Sequence, residues 1–241
     1  MQGQQLQDEH GFRFSIEEDF RSIFPEAMIG VVVVRGIDNT RDAEACARLL
    51  DGQIEQTRQE LEGVEVPSLP AVAPWRAAYQ QFGVKPSKYR SSIENLLRSA
   101  ASGRLRSINP LVDLYNVVSL GHWLPCGGED LAAIQGPIRL TRARGDEHFV
   151  PLGGAEDEPP PSGAVIYRDD LGVICSCWNW READRSKLTV QTTDAVLVIE
   201  ALPPTHEASL RAACEQLADL VVQHLGGTSS VSVLGPSLSS S

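Results

Sequence analysis

The chain has 241 residues, of which 21 are lysine or arginine and 32 are aspartate or glutamate, so its formal net charge is −11. This acidic balance argues against the broad basic surface that holds duplex DNA. No apolar run is long enough to cross a membrane, and the N-terminal segment lacks the features of a secretory signal. The five cysteines have no framework spacing, which predicts reduced thiols and a cytoplasmic protein.

The composition predicts one folded domain between two flexible ends. Residues 1–11 are polar and are expected to be flexible, whereas residues 227–241 are serine-rich and are expected to form a disordered tail. Between them, residues 12–226 show no internal repeat and no break in composition. A single domain of mixed α and β structure is the simplest interpretation.

The predicted elements follow the periodicity of the apolar residues. Strands are expected at 12–16, 28–35, 138–143, 149–152, 164–167, 173–178 and 195–201. Helices are expected at 41–61, 74–82 and 91–103, from Pro110 to about residue 120, and from 206 to 225.

The stretch 107–130 reads as a helix that leads into an irregular, glycine-rich loop. Asn109 is a good N-cap, and Pro110 falls at the first helical position. Asp113 and Asn116 are three residues apart and share one helix face. This pattern is compatible with a pocket wall, but from the residues alone we favour a buried polar pair that caps the backbone of the loop.

Two further sites are open to more than one interpretation. Lys85, Lys88 and Arg90 surround Tyr89 in a loop that could bind phosphate and stack on a base, or could simply be solvated. Glu200 follows five apolar residues in a strand, so it is either a buried functional carboxylate or a strand end that reaches water.

Motifs for metals and cofactors are absent or weak. Cys175 and Cys177 could bind zinc only with two further ligands, and no second pair has ligand spacing. We find no P-loop, GxGxxG, GxSxG or HExxH motif, and predict neither metal nor cofactor. The segment Trp178–Arg181 is an aromatic turn that could form the floor of a pocket or close the edge of the core.

These segments together resemble the B3/4 domain, the editing module of the phenylalanyl-tRNA synthetase beta subunit, and the free-standing bacterial proteins built from that module. The resemblance covers the chain from about residue 28 to residue 203. It rests on the order and spacing of WRAAYQQFGVKPSKYRSSIENLLR, INPLVDLYNVVSL, LPCGGEDL, IYRDDLGVICSCWNWREADRSKLT and TTDAVLVIE.

The resemblance implies an α+β fold, a three-layer ββα sandwich with an editing pocket, in which a positioned water hydrolyses the ester of mischarged tRNA without a protein nucleophile. It places the Asp-x-x-Asn motif of the family on Asp113 and Asn116, and the strand-end glutamate that reads the tyrosine hydroxyl on Glu200. We expect Asn116, Glu200 and Asp113 to be the catalytic residues. The implied substrate-binding residues are Asn109, Ser119, Gly127, Gly128, Cys177, Trp178, Asn179 and Trp180. The acceptor end of tRNA would meet Lys85, Lys88, Tyr89 and Arg90.

Two positions depart from the family pattern. A pocket histidine of the family falls on Gly127, and a glycine-rich turn is replaced by Cys177-Trp178-Asn179-Trp180. These departures fit a pocket reshaped for a side chain other than tyrosine. We therefore expect a trans-acting aminoacyl-tRNA deacylase. The alternatives are a non-catalytic module that binds tRNA or an amino acid, and a small-molecule hydrolase that reuses the pocket.

Overall fold

The structure, a computed structural model, describes residues 4–236. Within that range it contains two β-sheets and six α-helices. The strands are β1 (Gln4–Gln7), β2 (Arg13–Ile16), β3 (Met28–Arg35), β4 (Cys126–Asp130), β5 (Ile138–Arg142), β6 (Val165–Arg168), β7 (Val173–Ser176), β8 (Arg181–Glu182), β9 (Ala195–Ala201) and β10 (Thr228–Leu234). The helices are α1 (Glu18–Arg21), α2 (Ala43–Glu60), α3 (Ala73–Gln81), α4 (Ser92–Ala101), α5 (Pro110–His122) and α6 (Glu207–Leu225).

The two sheets and the helices form three layers. One sheet has six strands in the order β1-β2-β5-β6-β7-β8, and the other has four in the order β10-β3-β9-β4. Helices α5 and α6 pack on the outer face of the four-stranded sheet, and α2 packs on α5. The predicted α+β fold, a ββα sandwich, is therefore confirmed.

The side chains of β3 point alternately to two cores, which explains why its apolar run is continuous. Val31 and Val33 belong to the core between the two sheets, whereas Val32 and Val34 belong to the core under the helices. Successive side chains of a strand point to opposite faces, so a strand with a layer on each side must be apolar on both. β9 follows the same rule, since Val196 joins the first core and Leu197 the second.

The ends of the chain differ from the prediction where the structure describes them. β1 pairs with β2 inside the segment that was expected to be flexible, and β10 pairs with β3 inside the expected disordered tail. β10 supplies hydrogen-bond partners to the edge of a buried strand, and its Val231 and Val233 pack against the helix-side core. The rest of the two predicted ends, residues 1–3 and 237–241, lies outside the described residues.

The glycine-rich segment after α5 is a strand rather than an irregular loop. In β4, Gly127 pairs with Val198 and Gly128 with Leu197. A Cβ atom at Gly128 would lie 2.5 Å from Leu197 Cδ2. Glycine thus permits the close approach of β4 to its neighbouring strand. The glycine content of this segment, taken alone, suggests a loop instead.

Candidate functional site

A small cavity lies between the two sheets; we call it the chamber. Its volume is about 50 Å³, which is room for a few water molecules. It is lined by Ser92, Cys126, Gly127, Gly128, Glu129, Ile138, Tyr167, Ile174, Cys175, Trp178, Asn179, Glu182, Val196, Val198 and Glu200. Three glutamates therefore share a small, mostly apolar space.

Glu200 is held in the chamber by two hydrogen bonds. The Tyr167 hydroxyl donates to Oε1 at 2.6 Å, and the Asn179 amide donates to Oε2 at 2.5 Å. Asn179 in turn accepts from the Tyr79 hydroxyl at 2.9 Å and from the backbone N–H of Ser92 at 3.2 Å. This network links α3, the start of α4, β6 and β9, so both oxygens of Glu200 already have a protein partner.

The wall opposite β9 is formed by an unusual turn after β7. Cys177 and Trp178 both have positive φ, at 50° and 65°, a conformation that is rare for side chains of this size. Trp178 is fully buried, and its ring lies 5.0 Å from those of Phe20 and Trp75. Its indole N–H is directed toward Glu200 and Tyr167 but has no hydrogen-bond partner within residues 4–236.

The other two buried carboxyl groups of the chamber are those of Glu129 and Glu182. Glu182 Oε1 accepts from the backbone N–H of Gly128 at 3.3 Å, while Glu129 Oε2 has no hydrogen-bond partner in the described chain. A Cβ atom at Gly127 would lie 2.6 Å from Glu182 Oε1, so the missing side chain leaves the space that this carboxyl group occupies. Neither glutamate forms a salt bridge with any described residue.

Burial dominates the protonation of these groups. It raises the pKa of Glu200 to about 7 and that of Glu182 to about 7. Burial, together with the neighbouring Glu182, raises the pKa of Glu129 well above its ordinary value. Burial also raises the pKa of the Tyr167 hydroxyl, with the Glu200 charge as the second cause.

These pKa shifts predict that the protein becomes less stable as the pH rises. A glutamate whose pKa is raised on folding stabilises the folded state fully below about pH 4.5, and this contribution is lost as the pH passes about 7. Shifts from 4.5 to about 7 correspond to on the order of 3 kcal/mol for each of Glu182 and Glu200. Urea unfolding at pH 5 and pH 8 measures the difference. The variant with both Glu182→Gln and Glu200→Gln should be much less sensitive to pH, and equal wild-type stability at both values would contradict the prediction.

An open cleft of about 270 Å³ adjoins the chamber. Ser92, Cys126, Asn179 and Glu182 line both spaces, so these four residues mark the boundary between them. The cleft is otherwise lined by Asn95, Leu96, Ser99, Tyr115, Asn116, Ser119, Leu152, Trp180 and Arg181. The cleft is thus the larger of the two spaces.

The structure brings only some of the predicted site residues together. Asn116 and Ser119 line the cleft on α5, and the Ser119 hydroxyl donates to the Leu124 carbonyl at 2.6 Å. Gly127, Gly128, Trp178 and Asn179 line the chamber with Glu200, whereas Trp180 lines the cleft. Cys177 is fully buried beside the chamber but lines neither space. Asn116 and Glu200 therefore face adjoining spaces, not one common pocket.

Asn109 and Asp113 hold the backbone around the start of α5 and do not line the chamber or the cleft. Asn109 Oδ1 caps the helix by accepting from Val112 N at 3.1 Å. Asp113 accepts from the Ser107 hydroxyl at 2.5 Å and from Ile108 N at 3.0 Å. Of the two interpretations of this helix face, the structure favours the capping one at Asp113.

The basic loop reaches the rim of the cleft through an aromatic contact. The ring of Tyr89 lies 4.7 Å from that of Trp180, edge to face, and Lys88 Nζ lies 4.9 Å from the centre of the Tyr89 ring. Lys85 and Lys88 are exposed, whereas Arg90 is 3.9 Å from the buried Glu94. Lys88 and the two aromatic rings are thus available at the rim, Lys85 is exposed in the same loop, and Arg90 is partly neutralised by Glu94.

Tyr167, Glu182, Glu129 and Tyr79 were not predicted as site residues. Glu182 belongs to a two-residue strand, and Glu129 follows two glycines, so neither has a periodicity that predicts burial. Tyr167 lies in a predicted strand, where an aromatic residue is ordinarily part of the core. The sheet pairing brings Tyr167, Glu182 and Glu129 to one cavity, whereas Tyr79 of α3 contacts the site through its hydrogen bond to Asn179.

No group of three or more His, Cys, Asp or Glu side chains suited to a metal ion occurs in the part of the chain that the structure describes. Nor does any described helix combine the length and hydropathy that crossing a bilayer requires.

Comparisons with known proteins identify the family to which the chain belongs. The profile of the B3/4 domain matches residues 74–226. The phenylalanine–tRNA ligase beta subunit of Novosphingobium aromaticivorans is 30% identical over 128 residues, which are 52% of this chain and 15% of that protein. An N-terminal fragment of the phenylalanyl-tRNA synthetase beta subunit from Pyrococcus horikoshii superimposes with a TM-score of 0.45 at 12% identity, over 94% of this chain and 54% of that one. The chain belongs to the B3/4 domain family.

Proposed function

We propose that this protein is a cytoplasmic, trans-acting aminoacyl-tRNA deacylase, which hydrolyses the ester of mischarged tRNA and so serves translation fidelity. The observation that supports this best is the pairing of a water-sized chamber containing three glutamates with an open polar cleft. The similarity to a tRNA synthetase beta subunit points to tRNA as the partner. The five cysteines, all free thiols, agree with a cytoplasmic location.

In this proposal the ester carbonyl lies in the cleft and the attacking water lies at its boundary with the chamber. An aminoacyl ester is already activated, so a water held in the correct orientation can suffice without a protein nucleophile. Asn116 would hold the aminoacyl group from α5, and Asn179 would hold the boundary from the other side. No cofactor is needed for this reaction.

The chamber also argues for a particular class of amino acid. The carboxylate of Glu200 already accepts from Tyr167 and Asn179, so a substrate hydroxyl would be a third donor to a group that two protein side chains already hold. Trp178 fills the turn that borders the chamber, and the remaining space is about 50 Å³. We therefore propose a substrate with a small side chain, not tyrosine.

The decisive experiment is a panel of tRNAs charged with different amino acids, incubated with the protein at catalytic concentration. Release of one or more small amino acids faster than in buffer supports the proposal. Release no faster than in buffer for every tRNA in the panel would refute it.

The basic loop gives a separate prediction for tRNA binding. Replacing Lys85 and Lys88 together by glutamate should weaken tRNA binding about tenfold or more, because two phosphate contacts become repulsive. Titration of labelled tRNA at two salt concentrations measures this change, and the salt dependence should also decrease. Arg48→Glu, which changes an exposed cation on α2, is the control and should have little effect. Equal losses in the two variants would argue against a specific contact of the loop.

A second candidate function is a non-catalytic module that binds tRNA or an amino acid. It is favoured by the hydrogen bonds of Glu200, because each oxygen of this carboxylate already accepts a bond from a protein side chain. The two functions are separated by comparing binding with turnover. Binding of charged tRNA at micromolar protein, without any release of amino acid, would support the module.

A further inference from the structure

We propose that Glu182 is the general base that takes the proton of the attacking water, with Glu129 as a neighbouring acid that keeps its own proton. This inference rests on the proposed deacylase function and adds a catalytic residue to it. Neither glutamate was predicted as a site residue from the sequence, and neither takes part in the hydrogen-bond network around Glu200.

Position distinguishes Glu182 from the other two glutamates. Of the three that line the chamber, Glu182 alone also lines the cleft. A water at this boundary can contact a carboxylate on one side and an ester carbonyl on the other. Glu129 and Glu200 lie farther inside and can reach a substrate in the cleft only through intervening water.

Glu182 also retains free capacity to accept hydrogen bonds. Its one hydrogen bond from the described residues is the 3.3 Å contact from Gly128 N to Oε1. Both oxygens of Glu200, by contrast, accept short bonds from Tyr167 and Asn179. The absent side chain at Gly127 gives the carboxyl group its space, since a Cβ atom there would be 2.6 Å from Oε1.

The surroundings favour a base that works near neutral pH. The titratable groups that face Glu182 are Tyr115 of α5, Cys126 and Glu129 of β4, Cys175 of β7 and Glu200 of β9. None of these described groups is a cation, and Arg185, whose charge lowers the pKa of Glu129, is paired with Asp169 at 2.6 Å. Burial raises the pKa of Glu182 to about 7, close to the value at which a carboxylate is most effective as a general base.

Two polar atoms that border the chamber have no hydrogen-bond partner among the described residues. The unpartnered Oε2 of Glu129, 6% exposed as a residue, and the unpartnered indole N–H of Trp178 both border the same chamber within residues 4–236. The protonated carboxyl group of Glu129 can both donate and accept, and the indole N–H is a donor, so ordered water can satisfy both. The chamber is thus equipped to hold the water that the reaction consumes.

Glu182 removes one proton from the water as the water oxygen forms a bond to the ester carbonyl carbon, and the carbonyl electron pair moves to its oxygen. When the tetrahedral intermediate collapses, the bond between this carbon and the ribose oxygen breaks. The protonated Glu182 then returns the proton to that ribose oxygen. The products are the free amino acid and uncharged tRNA, with Glu182 again ionised.

The test is single-turnover deacylation between pH 5.5 and 8.5, corrected for hydrolysis in buffer. For the wild type we expect a rate that rises with pH and levels off above about 7. Glu182→Gln should lower the rate about 100-fold or more and abolish the rise, with unchanged affinity for charged tRNA. Glu182→Asp should keep the pH dependence at a lower rate, because a shorter carboxylate still accepts a proton. Glu156→Gln, which alters an exposed loop residue, is the matched control.

The outcomes separate this inference from the function on which it rests. If the wild type and the Glu182→Gln variant hydrolyse charged tRNA equally fast, the role of Glu182 is refuted and the deacylase function is not. A variant with normal rate and weakened binding would also refute this role, because Glu182 would then hold the substrate and not the water. A wild type without activity on any charged tRNA would overturn both. Thermal unfolding of each variant verifies that the fold is retained.

Discussion

Replacing Trp178 by alanine is expected to lower the free energy of unfolding by about 3–5 kcal/mol. The side chain is fully buried, and its ring is within 5.0 Å of those of Phe20 and Trp75 and 4.8 Å from that of Phe24. Few side chains could rearrange to fill the resulting space, because the neighbouring rings belong to separate elements. Alanine at a φ of 65° remains strained, so the substitution gives no compensating gain.

Urea unfolding monitored by circular dichroism measures this loss, and Trp180→Ala is the matched control. Trp180 lies two residues further along the same turn but is partly exposed, and its aromatic contact in the structure is with Tyr89. Its removal should cost about 1 kcal/mol, of the order of one aromatic pair. A Trp178→Ala variant as stable as Trp180→Ala would show that this turn does not anchor the core.

The same substitution should change which substrates are accepted. Trp178 lines the chamber, so its removal enlarges a space that now has a volume of about 50 Å³. If Trp178 restricts the substrate to small side chains, Trp178→Ala should hydrolyse tRNA charged with larger amino acids relatively faster than the wild type does. A panel of charged tRNAs at a temperature where the variant is folded gives this ratio.

The layers of the fold can be predicted from the sequence because each has a simple hydrophobic period. The continuous apolar run of β3 and the caps of α5 fix their limits, and the structure has both where the sequence predicts them. The capping residue of α2 was not predictable. Asn39 precedes the helix and is a good capping residue type, but it accepts from Leu111 N at 2.7 Å, and the N-cap is Asp42. Long-range hydrogen bonds of this kind leave no local signal.

The candidate site is less predictable, for a physical reason that Glu182 illustrates. A carboxyl group is normally assigned to the surface, and nothing near Glu182 in sequence marks it as buried. Its burial follows from the pairing of β8 with β7 and from the glycine at position 127 on a distant strand. Glu200 could be identified because five apolar residues precede it in its own strand. A burial pattern within one strand can thus be predicted from the sequence, whereas a cavity assembled by several strands cannot.

Replacing Glu200 by alanine is expected to lower the free energy of unfolding by about 2–4 kcal/mol at pH 5 and to reduce deacylation at least 100-fold. The Tyr167 hydroxyl and the Asn179 amide would both lose their acceptor in a buried space. Asn179 also accepts from Tyr79 and from the N-terminus of α4, so its displacement would disturb the boundary between chamber and cleft. The loss of rate then reflects positioning and not proton transfer.

Glu200→Gln distinguishes these effects because it keeps the shape of the side chain and removes its charge. Its amide oxygen can accept from Asn179, and its amide group can donate to Tyr167, whose hydroxyl is free to turn. We therefore expect Glu200→Gln to retain most of the activity that Glu200→Ala loses, and to be more stable than the wild type at pH 8, where ionisation of the buried carboxyl group is costly. A Glu200→Gln variant as inactive as Glu200→Ala, with its stability intact, would show that the negative charge itself takes part in the reaction. Glu200 would then have to be considered as the base in place of Glu182.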